Sequence, residues 1–305
     1  MWLSLAFLSA ALLGFYDVFK KYSLRDNAVI PVLFLNTLFC SLIFLPFILL
    51  SATGGIQPGS LFHVPAWVWE EQRWVMLKAV IVLSSWLFGY FAIKHLPITI
   101  VGPINATRPV MTLVGALLVF GEQLNGWQWV GVSIAIASFY LLSRSGKKEG
   151  IRFAHNRWIY FLIAAALLGA ASGLYDKFLM TPLANGGRGL ANMTVQSWYN
   201  LYQCLIMGII LLLVWLPMRQ RTTPFRWRWS IVCISLFICL ADFAYFYALT
   251  DAEAMISVVS MVRRGSVLVS FFFGAMIFAE KNLRSKVVDL SLVALSMFCL
   301  WMGSH

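Results

Sequence analysis

Long apolar stretches separated by short polar breaks dominate the chain. Each stretch is about 20 residues long, the length that a helix needs to cross the hydrocarbon core of a bilayer. The breaks are turn or charge clusters such as FGEQLNG and SRSGKKEG. The pattern predicts an all-α integral membrane protein with ten transmembrane helices. The predicted spans are 2–22, 28–51, 73–93, 98–120, 126–143, 158–180, 192–216, 229–249, 254–278 and 286–303.

Composition agrees with this pattern. Hydrophobic residues make up 61% of the 305 residues and charged residues 11%, whereas a soluble domain carries about 25% charged residues. The net charge of +11 comes from lysines and arginines in short loops, which is typical of membrane orientation rather than of nucleic-acid binding. The five cysteines lie in predicted spans without metal-ligand spacing. We therefore expect no nucleic-acid partner, no metal, no cofactor and no enzyme activity.

Lysine and arginine divide unequally between the two faces of the predicted bundle. Sixteen lie on one side, three lie inside spans, and four lie on the other side, namely Arg73, Lys78, Lys177 and Arg188. The positive-inside rule places the richer side in the cytoplasm and both termini outside. The N-terminal stretch MWLSLAFLSAALLGF lacks a basic n-region, so we interpret it as a retained helix. We predict a multi-pass protein of a bacterial inner membrane.

Short segments recur in the same order in the two halves. GFYDVF (14–19) returns as GLYDKF (173–178), and GALLVFGEQL (115–124) returns as GAMIFAEKNL (274–283). Arg108 and Arg264 are 156 positions apart, as are Ala92 and Ala248. Five spans per copy would insert the second copy upside down, so the pattern predicts two inverted five-helix repeats, 1–150 and 151–305. Such repeats are typical of secondary transporters with a site near the midplane, and one chain with both can function as a monomer.

These segments, together with YFAIKHLP (90–97) and its echo FYALTDAE (246–253), resemble the drug/metabolite transporter superfamily in its ten-helix EamA-type branch. The resemblance covers essentially the whole chain and implies a transporter. The family usually has Glu-Pro or a neutral residue where this chain has Arg108-Pro109.

Three arginines, Arg108, Arg263 and Arg264, lie inside predicted spans. An unpaired charge at the bilayer centre costs at least ~2.5–3.5 kcal/mol, so each needs a partner or a function. Arginine grips a carboxylate or phosphate with two parallel hydrogen bonds. Arg108 and Arg264 are therefore the predicted centre of a substrate site, and Arg263 points about 100° away on its helix. A permanent structural ion pair is the alternative.

Polar residues share helix faces with the two arginines. The spacing i, i+3, i+7 joins Asn105 and Thr112 to Arg108, and the same spacing joins Ser257 and Ser260 to Arg264. These four residues are predicted to bind substrate.

Further candidate residues lie in other spans. Asp242 is the predicted counter-ion or proton-coupling group. Asn36 and Asn200 either bind substrate or form interhelical hydrogen bonds. The predicted gating residues are Tyr16, Asp17, Tyr175 and Asp176. Helix-end capping, or pairing with Lys20 or Lys177, is the alternative for the two aspartates. Glu122 and Glu280 are expected at the membrane interface.

The predicted function is alternating-access transport of a small anionic or zwitterionic metabolite in contact with membrane lipids. A flippase for a phosphate-bearing lipid is the alternative within transport, because arginine also grips lipid phosphate. A membrane enzyme or an assembly protein is the alternative outside transport. An enzyme would need acids or histidines that converge at one membrane face, whereas the strongest charges here are predicted at mid-depth.

Overall fold

A computed structural model describes residues 1–95, 105, 108–145, 157–266, 268–269, 273 and 283–303, and these residues contain helices and no strand. The helices are α1 (Trp2–Leu24), α2 (Val29–Ala52), α3 (Trp69–His95), α4 (Arg108–Val119), α5 (Gly126–Ser145), α6 (Arg157–Met180), α7 (Asn192–Ile210), α8 (Ser230–Leu249), α9 (Ile256–Arg264) and α10 (Leu283–Met302). Helix α7 continues through a π-helical turn, Leu211–Trp215. Pro217 follows this turn and lacks the amide that an α-helix would bond to Leu213.

Six of the described helices, α1, α2, α3, α6, α7 and α8, are long and apolar enough to cross a membrane. Helix α4 and the segment Ser291–Met302 of α10 are apolar but shorter. The chain is thus a multi-pass integral membrane protein, as predicted. The count of ten spans and the division into two repeats stay predictions.

Large apolar side chains cover the outside of the bundle. Leu118, Leu167 and Leu213 are all more than half exposed, which suits hydrocarbon as the surrounding solvent. Buried positions include many polar residues, among them Asn36, Gln196 and Gln203. In hydrocarbon, polar side chains gain more from each other than from the surroundings, so they lie inside the bundle.

The helix contacts follow a regular scheme. Helix α1 packs along α8, and in the same way α6 packs along α3. Helix α3 also contacts α7, as α8 contacts α2. Helix α4 contacts α6, as α9 contacts α1. The pairs α2–α7, α4–α9 and α5–α10 complete the main contacts. If each helix number is exchanged for the one that differs by five (α1 for α6, α2 for α7, and so on), the same set of contacts results. The contact α1–α8, for example, becomes α6–α3.

Side-chain contacts give the direction of the first pair. Ser9 donates to the carbonyl of Ala241 at 2.7 Å, while Ser23 and Ser230 share a hydrogen bond at 2.5 Å. Residue numbers therefore rise along α1 as they fall along α8, and the two helices are antiparallel.

The charge count made from the sequence needs one correction. Lys78 and Lys177, which were counted as loop residues, lie within α3 and α6 and are buried. Buried cations do not belong in a loop count. Only Arg73 and Arg188 remain on the less basic side, so the predicted bias grows from sixteen against four to sixteen against two.

Close packing of α5 on α10 depends on Gly131. A Cβ at Gly131 would lie 2.8 Å from Leu300 Cγ and 3.0 Å from the Ser296 carbonyl oxygen. We expect Gly131→Ala to destabilise the protein by about 1–3 kcal/mol through overpacking, measured by thermal unfolding in detergent. Gly126→Ala is the matched control, because a Cβ there meets nothing within 4 Å. Equal melting temperatures for the two variants would contradict this packing.

Candidate functional site

Arg108 stands at the start of α4 and points at α6. Its Nη2 donates to the carbonyl of Ala165 at 3.0 Å. Gly169 makes room for the guanidinium, because a Cβ at that glycine would lie 3.0 Å from Arg108 Cζ. The Nε of Arg108 is buried without a hydrogen-bond partner, and in the described part of the chain no carboxylate is within ion-pair distance. Arg108 is therefore a partly buried cation held by one backbone carbonyl.

Arg264 ends α9, which packs against α4, the helix of Arg108, and against α1, the helix of Asp17. Asp17 is itself bound by Lys20 at 2.6 Å. The described residues place no carboxylate within ion-pair distance of Arg264. We call Arg108 and Arg264 the basic pair.

Two pairs of opposite charges join other helices inside the bundle. Lys78 on α3 donates to Asp176 on α6, and both side chains are almost fully buried. Arg263 on α9 donates to Asp242 on α8 at 2.8 Å. These four residues form an ion-pair cluster with no net charge.

Two tyrosines join the two halves of this ion-pair cluster. Tyr199 on α7 donates to Asp242 at 2.8 Å, and the ammonium group of Lys78 lies 4.9 Å from its ring centroid. The guanidinium of Arg263 lies 4.0 Å from the ring centroid of Tyr245. Asp242 thus has Arg263 and Tyr199 as its partners.

The hydroxyl groups predicted beside the basic pair have other partners. Thr112 donates to the carbonyl of Arg108 at 3.0 Å. Ser257 donates its backbone N–H at 3.2 Å and its hydroxyl to Glu122, which also accepts from the backbone N–H of Ile256 at 2.7 Å. Glu122 therefore caps the start of α9; Glu280 lies outside the described residues.

Asn105 and Ser260 complete the predicted substrate set. Asn105 is half-buried, and its Oδ1 has no hydrogen-bond partner. Ser260 is half-buried on α9.

Asn36 and Asn200 lie between helices. Asn36 Oδ1 accepts from the Ser235 hydroxyl at 3.0 Å, which joins α2 to α8. The carbonyl of Asn200 accepts from Ser41 at 2.9 Å, and its Nδ2 donates to the Gln196 carbonyl at 2.8 Å. The Asn36 bond matches the interhelical alternative, whereas the Asn200 side chain bonds within α7. Asn36 Nδ2 has no hydrogen-bond partner.

The four predicted gating residues fall into two differently bonded pairs. Tyr16 and Tyr90 share a hydrogen bond at 3.2 Å, and Asp17 is paired with Lys20. Tyr175 donates to the Trp74 carbonyl at 3.1 Å. Asp176 pairs with Lys78 rather than with Lys177, which donates to the Ala254 carbonyl instead.

Sequence reasoning missed Lys78, Tyr199 and Gln203. Lys78 falls inside the predicted span 73–93, so the rule that singled out Arg108 would also have found it. Tyr199 and Gln203 carry no charge, and the signal for them is their shared spacing with Gln196 and Asn200 along one face of α7. Among the described residues, no group of histidine, cysteine, aspartate and glutamate could hold a metal ion.

The Lys78–Asp176 pair predicts strong coupling between two substitutions. Removing one partner leaves an uncompensated buried charge, so Lys78→Met and Asp176→Asn should each destabilise the protein by about 3–5 kcal/mol. The double variant should recover most of this loss. Thermal unfolding of the three variants in detergent measures the coupling. Additive losses in the double variant would show that the two side chains are not paired.

Comparison with known proteins adds the family. Residues 1–144 match the EamA-like transporter family. The uncharacterized transporter PA0485 of Pseudomonas aeruginosa is 26% identical over 143 residues, 45% of each chain; the match thus spans about half the length of that relative. The probable 4-amino-4-deoxy-L-arabinose-phosphoundecaprenol flippase subunit ArnE of Aeromonas hydrophila is 28% identical over 76 residues, 24% of this chain and 67% of ArnE.

A solved crystal structure shares the fold. The superposition covers 98% of this chain and 96% of the solved chain, with a TM-score of 0.72 and 13% sequence identity. At that identity, the likeness shows the fold alone. The resemblance seen in the sequence is confirmed: residues 1–144 carry the signature of the EamA-like transporter family, a family of membrane transporters.

Proposed function

We propose that the protein is a secondary active transporter that moves a small anionic or zwitterionic metabolite by alternating access. The observation that carries this proposal is the basic pair. Arg108 and Arg264 lie on α4 and α9, which pack against each other, and within the described residues neither has a carboxylate in ion-pair distance. The buried lysine and arginine of the ion-pair cluster each have one. The basic pair therefore carries uncompensated positive charge.

An anion between the two guanidinium groups would remove this imbalance. Like charges repel, and burial in low dielectric strengthens both the repulsion and the attraction of an anion. The planar fork of arginine suits carboxylate and phosphate oxygens. The exchangeable ion of a transport site must leave again, so a site without a resident carboxylate fits transport better than a permanent ion pair.

The packing scheme supports two inverted repeats, 1–150 and 151–305. Exchange of each helix for the one five places away preserves the main contacts, and the pairs α2–α7, α4–α9 and α5–α10 map onto themselves. A pseudo-two-fold axis between the repeats would pass by α4 and α9, the helices of the basic pair. Inverted repeats place the substrate site at this interface. One chain then supplies a whole pathway, and we propose a functional monomer.

The same symmetry suggests how the gates are built. Tyr175 and Asp176 belong to the repeat position of Tyr16 and Asp17. We propose that the ion-pair cluster closes one side of the pathway through Asp176 and Asp242, and that the bonds around Tyr16 and Asp17 serve the other side. The corrected charge count supports a bacterial inner-membrane protein with both termini outside.

The relation to ArnE favours one second candidate, a flippase for a phosphate-bearing lipid. ArnE is named as a probable flippase subunit for a phosphoundecaprenol derivative, and guanidinium groups bind lipid phosphate as they bind free phosphate. The two candidates share the basic pair. They differ in whether the ligand carries an acyl or isoprenoid chain.

Ligand stabilisation tests the basic pair. We expect organic phosphates or carboxylates at millimolar concentration to raise the melting temperature of the detergent-purified protein. At a ligand concentration of a hundred times Kd, the free energy of unfolding should rise by about 2.7 kcal/mol. Arg108→Ala and Arg264→Ala should lose this shift, while Arg73→Ala, at an exposed arginine, keeps it. Stabilisation by lipid phosphates alone would select the flippase. A shift that survives both site variants would overturn the proposed site.

Gly169 allows a test that leaves Arg108 in place. A Cβ there would reach 3.0 Å from Arg108 Cζ and Nη1, so Gly169→Ala should displace the guanidinium while the flexible side chain absorbs the strain. We expect near-normal melting without ligand and at least tenfold weaker anion binding. Gly89→Ala is the control, since its Cβ would meet Ala165 Cβ at an ordinary 3.7 Å. Equal anion affinity in both variants would contradict the placement of Arg108 in the site.

A further inference from the structure

The buried face of α7 is polar over more than two turns. Gln196, Tyr199, Asn200 and Gln203 follow the spacing i, i+3, i+4, i+7, which places them on one side of the helix. Gln196 and Gln203 are 0% exposed, and Tyr199 and Asn200 are 2% exposed. These side chains thus point into the bundle in a protein whose outer surface is apolar.

Hydrogen bonding satisfies this face only in part. Tyr199 donates to Asp242, and Gln196 Nε2 donates to the Cys239 carbonyl at 2.8 Å. Both amide atoms of Gln203 and the Oε1 of Gln196 are buried without a partner. Across the bundle, Asn36 Nδ2 is also buried without a partner.

The register of α2 on α7 places Gln203 near Asn36 in depth. Ser41 Oγ donates to the Asn200 carbonyl at 2.9 Å, and a Cβ at Gly208 would lie 3.6 Å from Phe34. The two helices are therefore antiparallel, and Gln203 lies opposite the stretch between Asn36 and Ser41. We call Asn36, Gln196 and Gln203 the amide layer.

An unpartnered amide in a packed interior is expensive. Leaving a buried donor or acceptor unsatisfied costs about 1–3 kcal/mol, and the large majority of buried side-chain polar atoms in proteins have a partner. The amide layer has several unpartnered atoms in one region, both donors and acceptors. Hydroxyl groups both donate and accept, so they match this mixture better than a charged group does.

The amide layer is connected to the basic pair. Tyr199 lies between Gln196 and Gln203 on the helix face and donates to Asp242. Asp242 in turn pairs with Arg263 at 2.8 Å, and Arg263 precedes Arg264 of the basic pair on α9. A line of polar side chains therefore runs from α7 through α8 to α9.

We infer that the amide layer binds the neutral, hydroxyl-bearing part of the substrate whose anionic end binds the basic pair. This inference rests on the proposed function and narrows the substrate class to hydroxylated anions, either polyhydroxy carboxylates or sugar phosphates. Asn36 and Gln203 donate to substrate oxygens, and the Oε1 atoms of Gln196 and Gln203 accept from substrate hydroxyls.

The test compares matched probes on the purified full-length protein. Glucose 6-phosphate is set against inorganic phosphate, gluconate against acetate, and sorbitol serves as the uncharged probe. We expect each hydroxylated anion to stabilise the wild type more than its simple partner. In Gln203→Leu this advantage should fall at least tenfold in affinity, while the Arg108-dependent phosphate shift stays. Without ligand, Gln203→Leu should melt at or above the wild-type temperature, because a buried unpartnered amide has been removed.

Gln72→Leu is the matched control. Gln72, in the first turn of α3, is also 0% exposed with an unpartnered Nε2, but its Oε1 accepts from the Tyr202 hydroxyl at 2.8 Å. We expect it to lose stability and to keep the preference for hydroxylated anions. If Gln203→Leu fails to fold, Gln203→Met replaces it, and failure of both would show a structural role and overturn the inference.

The remaining outcomes separate the two proposals. If phosphate and acetate stabilise the protein through Arg108 but hydroxyl groups add nothing, the amide layer is overturned and the basic pair stands. If sorbitol stabilises the protein through Gln203 and no anion does, the basic pair is overturned and the amide layer stands. If none of the probes stabilises the wild type, both are overturned.

Discussion

A charge inside the hydrocarbon core must be neutralised, and this constraint decides which helices of the bundle meet. A charged side chain at mid-depth costs at least ~2.5–3.5 kcal/mol when it stands alone. Lys78, Asp176, Asp242 and Arg263 come from four helices, α3, α6, α8 and α9. Each finds its opposite charge on a different helix, so two ion pairs tie together four elements that are distant in sequence. Shifting any of these helices along its axis would separate a pair.

Close contact between the helices depends on small residues, because lipid supplies no hydrophobic force that drives helices together. Gly14 lies against Val269, which follows α9 in the chain, Gly115 lies against Leu174, and Gly131 against Leu300. Gly169 has a different role, since its missing side chain leaves the space that the Arg108 guanidinium occupies. The same device that packs helices thus also accommodates the charge at the candidate site.

The sequence predicts the spans well and the partners poorly. Bilayer thickness sets helix length, so predicted spans such as 28–51 and 158–180 agree with α2 (Val29–Ala52) and α6 (Arg157–Met180) within a residue or two. Intramembrane charge was also visible, at Arg108 and Arg264. Partner choice depends on which helix faces meet, and one sequence holds no record of that; Asp242 binds Arg263, although the adjacent Arg264 was an equal candidate.

Neutral polar residues were the least predictable part of the candidate site. Gln203 changes the hydropathy of its span little and carries no charge, so its spacing with Gln196 and Asn200 is the one signal for it in the sequence. Its importance becomes visible only when burial and missing hydrogen bonds are known together. Lys78 is a different case: its position inside a predicted span was sufficient evidence, and assigning it to a loop was an error of reasoning.

Adjacent arginines on α9 link the two charged regions in a way that bears on transport. Arg263 belongs to the neutral ion-pair cluster, while Arg264 belongs to the uncompensated basic pair. Successive residues on a helix point about 100° apart, so a rotation or tilt of α9 moves both guanidinium groups at once. In the proposed cycle, an anion that draws Arg264 toward Arg108 therefore also changes the geometry of Arg263 with Asp242. Substrate binding and gate opening then share one rigid element, which is the coupling that alternating access requires.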